Sequence, residues 1–353
     1  MTSTAPPTTD PGADGPARLD PASIFPFPLD DFQLEAIDAL NQGHSVVVSA
    51  PTGSGKTLVG EYAIHRALAH GQKVFYTTPL KALSNQKLRD FREAYGDDNV
   101  GLMTGDLSVN REASIVVMTT EIFRNMLYAE ASEQDDPLAD VEAVVLDECH
   151  YMNDSQRGTV WEESIIHCPP SVQLVALSAT VANAGQLTDW IEKVHGPTTL
   201  VLSDYRPVPL QFSFCSAKGL HPLLNDAGTG LHPNCKVWRA PKGHKRKGRS
   251  AKPPQPEPPP ISFVVAQMAE RDMLPAIYFI FSRRGCDKAV RDLGIQCLVN
   301  KEEQARIRAR LKAYSSDNPE AVRDGIHADA LLRGIAAHHA GVLPAWKLSL
   351  IHI

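Results

Sequence analysis

The sequence predicts an α/β fold built on parallel sheets flanked by helices, and three observations carry that reading. Apolar runs of five to seven residues recur between segments of helical periodicity, the pattern of strands buried on both faces. One such run ends in a glycine-rich loop that opens a helix, and another ends in an acidic pair. The chain has 353 residues, 43% hydrophobic and 22% charged, enough for about two domains with cores of their own.

In chain order, residues 1–29 hold seven prolines and three aspartates against a single arginine. That excludes a basic targeting leader and predicts an extended Pro-rich tail over 1–24. Ser45–Ser49 (SVVVS) is a strand, Thr57–His70 an amphipathic helix, and Lys73–Thr78 (KVFYTT) a strand followed by a helix near Leu83–Tyr95. Next come SIVVM (114–118), a helix from Glu121, VEAVVL (141–146), VQLVALS (172–178) and TTLVL (198–202), which close a first domain over 25–205. The prolines of YRPVP (205–209) mark the boundary. Over 206–353 the expectation is a partial second domain. It has a strand-like PLQFSFC (209–215), an insertion over about 217–260, a buried strand at Ala276–Ser282, and helices near Arg284–Leu293 and Lys301–Tyr314. The tract PPQPEPPP (253–260) is a stiff polyproline spacer.

Composition narrows the function classes. No apolar run approaches the ~20 residues of a membrane span. The six cysteines form no CxxC pair, which argues against a zinc site or a disulfide framework and for reduced thiols in a cytoplasmic setting. Net charge is −6, yet residues 236–252 (KVWRAPKGHKRKGRSAK) concentrate eight cations and no acid. Such a run is either a solvated loop or a local nucleic-acid anchor.

Two motifs carry chemistry. In Ala50-Pro51-Thr52-Gly53-Ser54-Gly55-Lys56-Thr57, glycines let consecutive N–H groups curl toward phosphate oxygens, and the helix start adds partial positive charge. Lys56 then reaches the β/γ-phosphates of ATP, and Thr57 offers a hydroxyl to Mg²⁺. In Asp147-Glu148-Cys149-His150, a carboxylate at a strand end can hold the same Mg²⁺, and Glu148 can polarise an attacking water. Cys149 is a small filler.

APTGSGKT (50–57), TTPLKALSNQK (77–87), DECH (147–150) and LSAT (177–180), in that order, resemble superfamily 2 DExH helicases. FPLDDFQLEAI (27–37) and HHAGVLP (338–344) narrow the resemblance to the Ski-like DExH RNA helicases. The resemblance implies tandem RecA-like domains of the P-loop NTPase class, ATP-driven unwinding of RNA, and RNA-decay or RNA-processing partners. It implies that Phe27 stacks on adenine while Gln33 reads its edge. Ser178, Ala179 and Thr180 would couple hydrolysis to movement, with His150 as their partner across the cleft. It places nucleic-acid contacts at Pro79, Leu80 and Lys81, at Thr104, Gly105 and Asp106, at Thr119, Thr120 and Glu121 and, in the second domain, at Ser282 and Arg283. Hydroxyls and helix-start amides suit phosphate oxygens, although Thr120 serves equally as a helix cap. His338 and His339 match the family's paired histidines.

The chain departs from the family in two places. The family's Gln…Gly-Arg-x-Gly-Arg box, which supplies arginine fingers, is absent, and LSLIHI (348–353) does not continue the expected helix. An arginine finger is worth ~10³–10⁵ in rate. The expectation is therefore a fragment with an incomplete second domain that binds ATP and turns it over slowly. The alternatives are a DNA helicase of the related repair group and a nucleic-acid-binding fragment without useful catalysis.

Overall fold

The computed structural model describes residues 19–128, 137–155, 157–235, 258–317, 325–339 and 341. The basic run 236–252 and most of the proline tract therefore lie outside the described residues, as do residues 1–18 of the tail and 342–353. The chain divides into two compact units between Pro209 and Leu210.

In the first unit the elements are α1 (Pro21–Ile24), α2 (Asp31–Asn41), β1 (Ser45–Ser49), α3 (Thr57–Ala69), β2 (Lys73–Thr78), α4 (Lys81–Tyr95), β3 (Val100–Met103), β4 (Ser108–Val109), β5 (Ile115–Thr119), α5 (Thr120–Tyr128), β6 (Val141–Leu146), α6 (Gly158–His167), β7 (Gln173–Ser178), α7 (Ala184–Val194) and β8 (Thr198–Leu202). They form one eight-stranded sheet in the order β4-β3-β5-β2-β6-β7-β1-β8. Every pairing is parallel except β3 with β4.

The apolar strands are buried on both faces because helices cover both. Val46, Val48, Tyr76, Val145 and Leu177 point to one side, where they meet Ile37, Val59 and Phe91 of α2, α3 and α4. Val47, Phe75, Val144, Leu146 and Ala176 point to the other, against Phe123, Trp161 and Ile191 of α5, α6 and α7. This period-two split of continuous apolar runs is the signature of a parallel sheet covered by helices on both faces. All β→α loops leave the same edge of such a sheet, and that edge is where ligands bind. The sequence pattern does not reveal β3, β4, α2, α6 or α7. β3 and β4 are short, with Gly101 inside the first and Gly105 in the loop between them.

The second unit holds a hairpin of β9 (Ser213–Ser216) and β10 (Gly219–Pro222), then α8 (Ile261–Ala269), α9 (Arg283–Asp292), α10 (Lys301–Asp317) and α11 (Gly325–Leu331). A small core forms around Val290, Leu293, Ala330 and Ile335. One expectation is corrected here. Ala276–Ser282 is not a buried strand: it makes no ladder, and Ile277 and Phe279 are each 81% exposed. A strand is held by neighbours, and the described residues of this unit offer only the antiparallel hairpin. Of PLQFSFC only the end becomes a strand, and α8 escapes the sequence pattern because its run ISFVVAQMA has no amphipathic period.

Candidate nucleotide and nucleic-acid site

The glycine-rich loop leaves β1 and enters α3 without a side-chain cap; Leu58 N and Val59 N turn back onto Gly55 O (3.1 Å) and Lys56 O (3.0 Å), which closes the first turn behind the loop. Gly55 must be glycine: its φ is +85°, and a Cβ there would lie 2.8 Å from Gln33 Nε2. Lys56 is 8% exposed, and its Nζ reaches the Pro51 carbonyl at 3.4 Å. Ser54 Oγ is buried with no partner. A buried ammonium on one long carbonyl contact and an orphaned hydroxyl, set at a helix start with no side-chain cap, form a donor set that fits a polyphosphate.

Gln33 is 5% exposed and fully engaged at both ends of its amide. Its Oε1 accepts from Asp30 N at 2.9 Å, completing a capping box at the start of α2, and its Nε2 donates to Gly55 O at 3.1 Å. It is therefore both a helix starter and a tether on the phosphate loop. Phe27 lies just ahead, 53% exposed, with its ring 6.0 Å from that of buried Phe25. It is an anchored aromatic with an open face.

Asp147 and Glu148 follow β6, two places from β1 in the sheet, a separation of about 10 Å. Asp147 is held on three sides. Its N–H donates to Thr77 O (3.0 Å), Oδ1 accepts from Glu148 N (2.9 Å), and Oδ2 accepts from the Tyr76 hydroxyl (2.8 Å). Burial and the Asp147 carboxylate push the Tyr76 phenol well above its ordinary pKa, so it stays a donor. Sequence reasoning misses Tyr76, which reads as one more apolar strand residue. Glu148 has φ +54°, a left-handed conformation uncommon outside glycine.

His150 joins the acidic turn to the turn after β7. Its Nδ1 is 3.2 Å from Glu148 Oε2 and 3.4 Å from Ala179 N. One nitrogen cannot serve both: protonated it donates to Glu148, and bare it accepts from Ala179. Ser49 Oγ, which the motifs also omit, donates to Ala179 O (3.4 Å) and accepts from Val181 N (3.3 Å), so β1 holds the same turn. Ser178 is buried, and its hydroxyl donates to Ala179 O at 2.8 Å. Thr180 is exposed.

The loops expected to meet nucleic acid converge on the strand ends of β2, β3 and β5. Leu80 and Lys81 are exposed and Pro79 is buried. Lys81 pairs with Asp106, clasping two of the loops together. Thr104 closes its own turn onto Leu107 O, leaving Gly105 and Asp106 exposed. Thr119 and Thr120 are buried, and Thr120 Oγ1 donates inward to Thr78 O at 3.3 Å. Its hydroxyl ties two loops together and is not presented to a phosphate. In the second unit Ser282 caps α9 through Gly285 N (3.0 Å), and Arg283 opens the helix. His339 Nε2 sits 3.0 Å from Asp287 Oδ1 on that helix, and His338 is exposed. Among the described residues no three His, Cys, Asp or Glu side chains form a metal cluster. A magnesium ion here would rest on Thr57, Asp147 and phosphate oxygens.

Residues 30–187 match the family described as DEAD/DEAH box helicase. That match falls within the first unit of the chain. The chain is similar to the chloroplastic DExH-box ATP-dependent RNA helicase DExH15 of Arabidopsis thaliana, with 45% identity over 92% of this chain and 31% of the relative. It is also similar to the probable helicase HelY of Mycobacterium tuberculosis, with 44% identity over 92% of this chain and 37% of the relative. The exosome RNA helicase MTR4 of Homo sapiens is 40% identical over 92% of this chain and 32% of its own length. The chain thus spans about a third of the curated relatives it matches. Among solved structures, the helicase Lhr of Mycobacterium smegmatis bound to ssDNA and AMP-PNP is 27% identical over 52% of this chain and 26% of its own, with a TM-score of 0.42. Among the described residues no helix is long and apolar enough to cross a membrane.

Proposed function

We propose that this chain supplies the ATP-binding helicase core of an RNA-dependent motor. One observation carries this most directly. Glu148, His150 and Ala179 form a contact chain that runs from the acidic turn to the turn after β7, on the same sheet edge as the phosphate loop. In this reading Phe27 stacks on adenine and Gln33, whose amide is spent on Asp30 N and Gly55 O, braces the phosphate loop, while Thr52, Gly53, Ser54, Gly55, Lys56 and Thr57 hold the phosphates. Thr57 and Asp147 hold Mg²⁺, which when bound neutralises charge on the β- and γ-oxygens. Tyr76 fixes the Asp147 carboxylate. Glu148 takes the proton of the attacking water. His150 reports the state of Glu148 to Ser178, Ala179 and Thr180. Pro79, Leu80, Lys81, Thr104, Gly105 and Asp106 track a single strand through its backbone, and Ser282 and Arg283 are the second unit's own candidates for backbone contacts.

RNA is favoured over DNA because relatives named as RNA helicases match over nearly the whole chain; RNA-decay or RNA-processing factors would be its partners. The test is steady-state ATP hydrolysis by the chain with no polymer, with single-stranded RNA and with DNA of the same sequence. Stimulation by RNA above DNA supports the reading. Stimulation by DNA alone makes it a DNA motor, and the absence of ATP binding overturns it.

A further inference from the structure

Arg157, just ahead of α6, lies at a junction that the motif pattern leaves out. Its Nε donates to Glu121 Oε1 (3.1 Å), and its Nη2 donates to the same carboxylate and to Pro79 O (2.7 Å). One guanidinium thus bridges the loop after β2 and the first turn of α5, two of the segments assigned to nucleic acid. With the two side chains 34% and 31% exposed, the ion pair contributes little to stability by itself. What it supplies is geometry: a planar fork with three directed contacts, which a lysine cannot reproduce.

Behind it, a ladder of hydrogen bonds leads to the catalytic turn. Tyr151 N donates to Glu148 O (3.1 Å), Asp154 N to Tyr151 O (2.9 Å) and Gly158 N to Asp154 O (2.8 Å), while Arg157 N donates to Asp154 Oδ1 (3.1 Å). Gly158 is pressed so closely on this turn that a Cβ would sit 2.2 Å from Met152 O. These bonds tie Arg157 and Gly158 back to the acidic turn. Beside that turn is a cavity of about 270 Å³ lined by Cys149, His150 and Met152 and by Leu187 and Trp190 of α7.

We propose that Arg157 is a positioning residue that transmits displacement of the Glu148–His150 turn to the Pro79–Lys81 and Thr119–Glu121 loops, so that nucleotide state sets their spacing. This rests on the reading of the Pro79–Lys81 loop as an RNA contact, with the Thr119–Glu121 segment behind it. Glu121, which the motif pattern would place against the strand, is instead the receiver for Arg157.

The test measures fluorescence anisotropy of a labelled oligouridylate on the full chain, with and without AMP-PNP and Mg²⁺, for Arg157→Lys, Glu121→Gln and the double variant. Binding of a fluorescent ATP analogue serves as control. Each single variant is expected to weaken RNA binding about tenfold in the nucleotide-bound state. It should bring the affinities with and without AMP-PNP together and leave analogue binding unchanged. The double variant should be no worse than either single, since both break the same ion pair. Amide exchange in Arg157→Lys should rise over residues 80–84 and 120–123 and stay unchanged over 53–58. Wild-type RNA affinity and nucleotide response in Arg157→Lys, or effects that multiply in the double variant, would overturn the proposal. If the parent chain binds no RNA, the RNA reading fails, and amide exchange alone decides whether Arg157 sets the loops: unchanged protection rejects it.

Discussion

Glu148 holds a left-handed backbone at the one position where a carboxylate follows the Asp147 anchor. That arrangement separates the two acids: the Asp147 carboxylate is held by the Tyr76 hydroxyl and Glu148 N, and the Glu148 carboxylate meets His150. Glu148→Gln should keep ATP affinity within about twofold while lowering single-turnover hydrolysis by about 10²–10⁴-fold, measured by quenched flow. Lys56→Ala and Asp147→Ala should instead each weaken Mg·ATP by about 10–100-fold in calorimetry; unchanged affinity in both removes the nucleotide assignment. The thiol beside this site is inert. Burial pushes Cys149, and likewise Cys168, up to about 12. A raised thiol pKa means less thiolate, so at pH 8 both should resist iodoacetamide in the folded chain while exposed Cys297 is modified. Peptide mapping after a timed pulse reads this directly.

At the opposite edge of the sheet from the phosphate loop, α3 is fastened by a buried arginine. Arg66 is 5% exposed and pairs with Glu142 at the start of β6, with Gln173 of β7 and with the carbonyl of Leu40 at the end of α2. Four elements meet on one guanidinium, and Glu142 also holds His70. Arg66→Ala leaves the nearly buried Glu142 carboxylate with His70 as its remaining partner and should cost about 3–5 kcal/mol in urea unfolding. Arg66→Ala with Glu142→Gln should recover part of that loss, because no lone charge remains. None of this is legible in the sequence, where Arg66 reads as a polar position on an amphipathic helix. The elements themselves are legible wherever an apolar run is long and flanked by turn residues, as at 45–49, 73–78 and 141–146. They are not legible at β4, which is two residues long, or at α8, which is apolar all round.

Across the whole molecule, charge is distributed unevenly: net −6, with eight cations gathered in 236–252. An acidic body repels a phosphate backbone, and eight cations in one run would offset that locally. Replacing its eight Lys and Arg by Ser should weaken RNA binding and flatten the plot of log affinity against log salt, by ~0.7 for each phosphate no longer neutralised, while ATP binding stays the same. An unchanged slope would make the segment a solvated loop.

The phosphate loop, the acidic turn and the succession of strands around them were determined by the sequence alone, because each depends on local chemistry: glycines that tolerate positive φ, a helix start, a carboxylate at the end of an apolar run. Tertiary structure decided which of those groups are spent on one another. Gln33, expected on adenine, is tied to Gly55; Lys81, expected on phosphate, is paired with Asp106; Thr120 turns its hydroxyl inward to Thr78. Tyr76, Ser49 and Arg157 gained their places only when strands distant in the chain came side by side. A hydrogen bond between residues 71 or 130 positions apart leaves no periodicity in the sequence, because its geometry exists only after the sheet has closed. The run at 276–282 shows the same dependence from the other side: its residues favour a strand, and without a neighbouring strand they make none.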